Sequence, residues 1–526
     1  MIKKIISALL VCAMVTVSLA SCSKFGKAGE TATAGTTASQ SGSETKDPSS
    51  GDSSTTVEKY DGGVDVNADK VSVYTENYKL TNAEMMYIVN SSFANFMQMI
   101  EYYQYYYGAT PEQLGLDPTK TFEEQLDASK SIKEQECTFE SFEGTWFDYF
   151  YRDAKATVED MLSVCEAAKA AGHTLSAEEE KQIDDALKNI SEQAKSANLT
   201  VDAYLAKNYG TGTTSQVITN ILEYSLYASS YLTKVQNDAD VSDAVLEAKY
   251  NENPNSVDKV DFILCSFDYN DLIPKDADDA AKEEAKNRCR TIASEIAKAT
   301  TKEEFLSKVK TALINEFGQT AEEAEKSVAA ITYKGQPYSD DVVIKWTFGD
   351  VAPGTTKVFE DEETSMIAAG FFIGRTSKCE APSKRDVYHI LFKSETYKDD
   401  SVVNKVYNDW VASGASLDSF KELAVKYTED GGSKETKGLY EDVEPGRMVD
   451  EFNDWLFDPA RKEGDHGIVK TSFGWHIMYA GPGEGVQWKD AMKAVIQSEA
   501  VSDMQKSAME TYKVTYDEEI LATLPL

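Results

Sequence analysis

Four histidines occur in the 526 residues, and two of them stand inside short apolar strings. One string is Val387-Tyr388-His389-Ile390-Leu391-Phe392. The other is Thr471-Ser472-Phe473-Gly474-Trp475-His476-Ile477-Met478. β-Branched and aromatic residues bracket each imidazole, so both strings read as strands. Between them lie a carboxylate in a glycine loop, Thr428-Glu429-Asp430-Gly431-Gly432, and two large apolar residues four apart, Met448 and Phe452. That spacing puts Met448 and Phe452 on one helix face. Two imidazoles and a carboxylate can act on a bound group, hold strands together by buried hydrogen bonds, or ligate a metal. No ligand-spaced motif supports a metal. Met448, Phe452 and Leu439 suit an apolar pocket or plain core. His466, in the turn Gly464-Asp465-His466-Gly467, reads as exposed.

The elements that must position these residues follow from the same stretch. A helical pattern runs over Val402–Trp410 and Ser416–Tyr427, ahead of the Asp430 loop. Lys437-Gly438-Leu439-Tyr440 comes next, then Pro445-Gly446-Arg447-Met448-Val449-Asp450-Glu451-Phe452, ending at Trp455-Leu456-Phe457.

In this order, residues 385–482 resemble the parvulin family of peptidyl-prolyl cis/trans isomerases. Four motifs carry the resemblance. His389-Ile390-Leu391 opens it, the hydroxyl-acidic-Asp loop at 428–430 follows, Gly446-x-Met448-Val449-x-x-Phe452 is third, and Phe473-Gly474-x-His476-Ile477 closes it. The resemblance implies an FKBP-like α+β domain with a four-stranded antiparallel sheet, and a reaction that needs no nucleophile and no cofactor. It implies a proline pocket of Leu439, Met448 and Phe452, closed by Phe457 and Phe473. It implies a catalytic set of His389, Asp430, Thr471 and His476, with the histidines facing each other from neighbouring strands, bridged by Thr471. Asp430 falls where the family carries Asp or Cys, and would polarise the site and set the histidine tautomers. One departure stands out. The family usually has Gly-Gly-Asp-Leu-Gly before the methionine, whereas this chain has Lys437-Gly438-Leu439-Tyr440-Glu441-Asp442.

The rest of the chain is long enough for two to four domains. Its net charge of −36 argues against nucleic acid as a partner, because phosphates would be repelled. Lys3, Lys4 and the apolar run from Ile5 to Ala20 form a secretory signal. Leu19-Ala20-Ser21-Cys22 resembles the bacterial lipoprotein box, which implies lipidation of Cys22, residues 1–22 as signal, and a chain anchored on the outer face of the cytoplasmic membrane, of Gram-positive type. Residues 23–58 are rich in Ser, Thr, Gly and Ala and read as a disordered tether. Cys137, Cys165, Cys265, Cys289 and Cys379 are odd in number and widely spaced, so they make no disulfide framework.

Residues 71–252 begin with an alternating stretch, Val71 to Leu80, that suits a strand. Helical patterns follow over Ala83–Tyr107, Thr145–Ala171, Ser176–Ala197, Val201–Tyr209 and Thr214–Ala239. Ser176 and Glu179 fit a capping box. The dense aromatics, from Phe93 to Tyr151, suit helix core or a greasy cleft for unfolded segments. This region resembles the helical chaperone domain that precedes parvulin domains in exported foldase lipoproteins of the PrsA/SurA type. Residues 259–376 read as a degenerate internal copy of the parvulin domain. In that reading Val260-Asp261-Phe262-Ile263-Leu264 aligns with Val387–Leu391, placing Phe262 at the position of His389, and Ile344–Phe348 parallels Asn453–Phe457. The copy lacks the histidines, the acidic loop and the Met motif. Residues 487–526 read as a C-terminal helix, Trp488 to Tyr512, with an extended tail that packs on the helical domain.

The expected protein is therefore an α+β multidomain foldase. Its helical chaperone domain accompanies two parvulin-like domains, the first degenerate. It isomerises X-Pro bonds at residues 385–482 and holds unfolded or partly folded exported proteins. Its rival is a non-catalytic chaperone or scaffold lipoprotein whose parvulin-like domains only bind.

Overall fold

The computed structural model describes residues 67–107, 130–137, 139, 142–210, 212–274, 277–361 and 366–524. The expected signal segment, Cys22 and the tether lie outside the described residues. The chain divides into two compact units, residues up to 239 together with 497–526, and residues 240–496. No helix among the described residues is long and apolar enough to cross a membrane.

The first unit opens with a hairpin, β1 (Val71–Tyr74) and β2 (Lys79–Thr81), where the alternation suggested one strand. The turn is held from below by Glu166, a buried carboxylate that accepts hydrogen bonds from Thr75 Oγ1 at 2.7 Å and from the Asn77 backbone N–H at 2.6 Å. Among the described residues, the α-helices that follow are α1 (Asn82–Tyr107), α2 (Trp146–Ala170), α3 (Ala177–Ser196), α4 (Val201–Tyr209) and α5 (Ser215–Asp238). Thr145 and Ser176 close capping boxes at the starts of α2 and α3, with Asp148 and Glu179 as the returning carboxylates. Each box satisfies orphan N–H donors that the helix itself cannot pair. Several aromatics of this region lie in the core. Phe96 meets Phe139, Trp146, Tyr149 and Phe150 edge-on, and all five are buried.

The second unit begins with α6 (Asp243–Glu252) and contains two four-stranded antiparallel sheets. The first consists of β3 (Lys259–Phe267), β4 (Thr332–Gln336), β5 (Thr356–Asp361) and β6 (Met366–Thr376), in the order β4-β3-β6-β5. Its helices are α7 (Asp279–Ile296), α8 (Lys302–Asn315), α9 (Ala321–Ala330) and α10 (Val342–Thr347). The second sheet consists of β7 (Lys384–Lys393), β8 (Leu439–Val443), β9 (His466–Lys470) and β10 (Gly474–Glu484), in the order β8-β7-β10-β9. Its helices are α11 (Ser401–Ala412), α12 (Leu417–Tyr427) and α13 (Asp450–Leu456). Strand alternation sends Ile390, Phe392 and Ile477 into a core with α11 and α12, and Val387 and Met478 into a second core with Phe452, Leu456 and Phe457. The first sheet is double-faced in the same way. Ile263, Cys265 and Phe267 face α7 and α8, while Val260, Phe262 and Phe372 face Val343 and Ile344 of α10.

The registers of the two sheets coincide, and they correct the sequence alignment. Each sheet has a register shift in both ladders of its long central strand, at Asp261 in β3 and at Asp386 in β7. Each of these aspartates accepts a backbone N–H across the shift, from Gly335 at 2.7 Å and from Asp442 at 3.0 Å. Leu264 N–H donates to the Ile331 carbonyl as His389 N–H donates to that of Gly438. With the bulges matched, Leu264 occupies the place of His389, two residues on from Phe262, and Ala368 occupies the place of His476. The slip of two preserves which face each residue takes, so the alternation in the sequence was blind to it.

After β10 the chain enters α14 (Gln487–Thr511), whose residues 487–496 belong to the second unit and whose remainder belongs to the first. The end of the chain adds β11 (Thr515–Tyr516) to the first unit's sheet, in the order β11-β1-β2, and closes with the short α15 (Glu518–Leu521).

Candidate functional site

The site forms on the face of the second sheet opposite α11 and α12. His389 points there from the middle of β7 and His476 from its neighbour β10, and both are almost fully buried. Asp430 reaches them because the loop after α12 runs back along β7. Leu391 N–H donates to Thr428 Oγ1 at 3.2 Å, and Glu429 N–H donates to the Leu391 carbonyl at 2.9 Å. The Glu429 carboxylate accepts from Lys393 N–H at 2.8 Å and from the Thr396 hydroxyl at 2.9 Å, which pins the loop at its outer end. Gly438 then brings the chain onto β7 at φ 87°, so close that a Cβ would lie 2.6 Å from the His389 carbonyl oxygen.

A continuous polar chain crosses the site. His389 Nε2 lies 3.1 Å from Asp430 Oδ2 and 3.0 Å from Ser433 Oγ. His389 Nδ1 lies 3.1 Å from His476 Nδ1, and the Thr471 hydroxyl lies 2.9 Å from His476 Nε2. Tyr440 donates its phenol to Asp430 Oδ2 at 2.9 Å. The two imidazoles stack at 5.4 Å with planes 19° apart, and Phe452 meets both edge-on at 5.5 Å. The Nδ1–Nδ1 contact needs one donor and one acceptor, so the proton on either ring fixes the role of the other. A shift of tautomer along Asp430–His389–His476–Thr471 therefore moves protons without moving net charge.

Electrostatics follow from burial. The His476 imidazolium is pushed down to about 3, first by burial and then by the neighbouring His389, so His476 is neutral near pH 7. Asp430 is held well below the ordinary carboxylate range by its contact with His389 and by the Ser433 and Tyr440 hydroxyls, against the opposing effect of burial. The Tyr440 phenol is pushed up to about 12 by burial and by the Asp430 carboxylate.

The structure gathers His389, Asp430, Thr471 and His476 into this network. It places Phe452 and Phe457 in the adjoining core, with Met448 packed against it. Two expected pocket residues stand elsewhere. Leu439 pairs with Tyr388, on the sheet face away from the histidines, and Phe473 is 60% exposed on the turn between β9 and β10. Tyr440, paired with Val387, takes the inward position beside Leu439, because alternate residues of a strand face opposite ways. A cleft of about 320 Å³ opens there, lined by Tyr440, Val443 and Met448 with the acidic Glu441, Asp442 and Glu444. Ser433 and Tyr440 were missed as partners of Asp430. The departure of residues 437–442 from the family's Gly-Gly-Asp-Leu-Gly pattern was the available signal. His466 is not in an exposed turn. It begins β9, packs on Trp410 at 4.7 Å and bonds the Tyr407 hydroxyl at 2.9 Å.

Comparison with known proteins gives the site a family. The Rotamase family, a PPIC-type PPIASE domain, matches residues 389–481. Chaperone SurA of Hahella chejuensis is 26% identical over 181 residues, which is 33% of this chain and 38% of that protein. Foldase protein PrsA 4 of Bacillus cereus is 37% identical over 95 residues, 18% of this chain and 30% of that protein. The chain thus spans about a third of the length of the curated relatives it matches. Among solved structures, PrsA from Bacillus subtilis is similar at 14% identity with a TM-score of 0.21, covering 75% of this chain and 100% of that one. Residues 389–481 are a PPIC-type peptidyl-prolyl isomerase domain of the parvulin kind, in a chain whose sequence relatives are named SurA and PrsA.

Proposed function

We propose that this protein is an exported, lipid-anchored foldase that isomerises X-Pro bonds at residues 385–482 and holds unfolded exported proteins through its helical region. The observation that carries the catalytic reading is the buried His389–His476 pair, tied to Asp430 and Thr471 and walled by Phe452. Prolyl isomerisation requires twisting an amide whose resonance sets a barrier of about 18–20 kcal/mol. A catalyst lowers that barrier by binding the twisted amide better than either planar form. Met448, Phe452 and Phe457 offer the proline ring an apolar surface free of water. There the twisted amide, less polar at its carbonyl, is relatively favoured. His476, neutral near pH 7, and His389 beside it supply ring nitrogens whose donor and acceptor roles change with tautomer, and ionised Asp430 fixes their orientation. Cys22 would carry the lipid, and residues 23–58 would hold the folded part away from the membrane.

The first sheet of the second unit is, in this reading, a parvulin-like domain that has lost the chemistry. Leu264 and Ala368 stand where the histidines stand, and Phe359 and Trp346 pack edge-on at 5.3 Å on that face. That loss supports a second reading, in which the protein binds clients without catalysis. Refolding of a client limited by proline isomerisation separates the two. An isomerase raises the rate of the slow phase, and Met448→Ala abolishes the gain. A binding protein alters only the yield.

A further inference from the structure

We infer that Tyr440 is a positioning residue for the isomerase site, its hydroxyl fixing the Asp430 carboxylate against His389 and its ring walling the histidines off from the cleft. This rests on the isomerase reading of residues 385–482. The ring of Tyr440 stacks on the His389 imidazole at 5.3 Å, with planes 27° apart, while its hydroxyl donates to Asp430 Oδ2 at 2.9 Å. The same oxygen accepts from Ser433 N–H at 3.0 Å and from the Ser433 hydroxyl at 2.5 Å, and faces His389 Nε2 at 3.1 Å. Three donors thus converge on one carboxylate oxygen, which has about two lone pairs to offer, and His389 Nε2 adds a fourth only in the tautomer that protonates it. Tyr440 and Ser433 together can satisfy it without His389. Asp430 then stays ionised and in place whichever tautomer His389 adopts, and His389 is free to exchange its proton with His476.

Local backbone supports the assignment. Gly432 leaves the space that the phenol occupies, since a Cβ there would collide with the Tyr440 hydroxyl. Register pairing with Val387 turns Tyr440 to the histidine face, and its other side lines the cleft with Met448. The residue therefore stands between the open cleft and the buried pair.

The test uses the full chain, with X-Pro peptide isomerisation read as separate kcat and KM. Tyr440→Phe keeps the ring and removes the hydroxyl. It should lower kcat by about tenfold, the effect of one hydrogen bond to a charged group, with KM changed less than about twofold. Tyr440→Leu should also raise KM, because the cleft wall is lost. In carboxyl-labelled protein, the Asp430 ¹³C signal of Tyr440→Phe should titrate at higher pH than that of wild type. A Tyr440→Phe variant with the kcat and the carboxyl titration of wild type would overturn the inference. A wild-type protein inert toward all X-Pro peptides would instead sink the isomerase reading, while the carboxyl titration would still decide whether Tyr440 holds Asp430.

Discussion

His476 shows how burial sets the chemistry of a single residue. Desolvation disfavours its charged form, and His389 beside it adds to the effect. Its imidazole signals should therefore not titrate between pH 8 and pH 5 in an NMR experiment, and a transition of His476 near pH 6.5 would contradict a desolvated, neutral ring at that position. Arg385 is the opposite case. It is buried, donates Nη2 to the Arg461 carbonyl at 3.0 Å, and has no partner for Nε or Nη1 among the described residues. The matching register position of the first sheet holds Val260. A buried polar group without partners costs about 1–3 kcal/mol, so Arg385→Met should raise the denaturation midpoint by a corresponding amount. A loss of stability would show that the guanidinium is paired in solution. The histidines, Met448 and Phe452 were legible in the sequence because type and spacing name them. Tyr440 and Ser433 were not, because their role depends on which neighbour a strand and a loop bring to Asp430.

Register decides which residues act as a set. Alternation in the sequence identified β3, β7 and β10 as strands, yet it could not fix the offset between the two sheets, since a slip of two leaves every face unchanged. Matching bulges at Asp261 and Asp386 settle the offset, and they depend on backbone pairing that no side chain announces. The same logic turns Leu439 to the sheet face away from the histidines and Tyr440 toward them. Gly438 is the element-scale point of failure. Its φ of 87° and its approach to the His389 carbonyl leave no room for a side chain. Gly438→Ala should destabilise the second unit by about 2 kcal/mol or more and abolish isomerisation, read by denaturation and peptide assay. An ion-pair contact links the first sheet to the helix α13 that packs on the second. Lys334 of β4 pairs with Asp454 at 2.7 Å and Asp450 at 3.4 Å, both on α13, whose other face carries Phe452. Exposed pairs of this kind contribute about 0–1 kcal/mol. Lys334→Ala should therefore change KM by no more than a few fold, with Lys334→Arg indistinguishable from wild type.

At the scale of the whole molecule, the end of the chain completes its beginning, with β11 on β1 and residues 497–511 of α14 in the first unit. Asp160 of α2 lies against α14, its carboxylate pushed up to about 6 by burial and opposed only by the amide of Gln505, at 2.9 Å from both oxygens. A carboxyl group whose folded value is raised favours the native state below its unfolded value near pH 4. That advantage is lost as pH rises through 6. Asp160→Asn should therefore stabilise the first unit at pH 7 by about 1–2 kcal/mol, and the difference should vanish below pH 4. A constant difference across that range would rule out titration of Asp160. The helices of this unit were readable from caps and periodicity, whereas the hairpin at β1 and β2 was hidden because its turn is held by Glu166, distant in sequence. The central claim concerns the buried histidine site, and its most direct measurement is the cis/trans exchange rate of a series of X-Pro peptides in the presence of the full chain. The account predicts clear acceleration by the wild type that Asp430→Ala and Met448→Ala largely lose while remaining folded. No acceleration by the folded wild type, whatever residue precedes the proline, would contradict it.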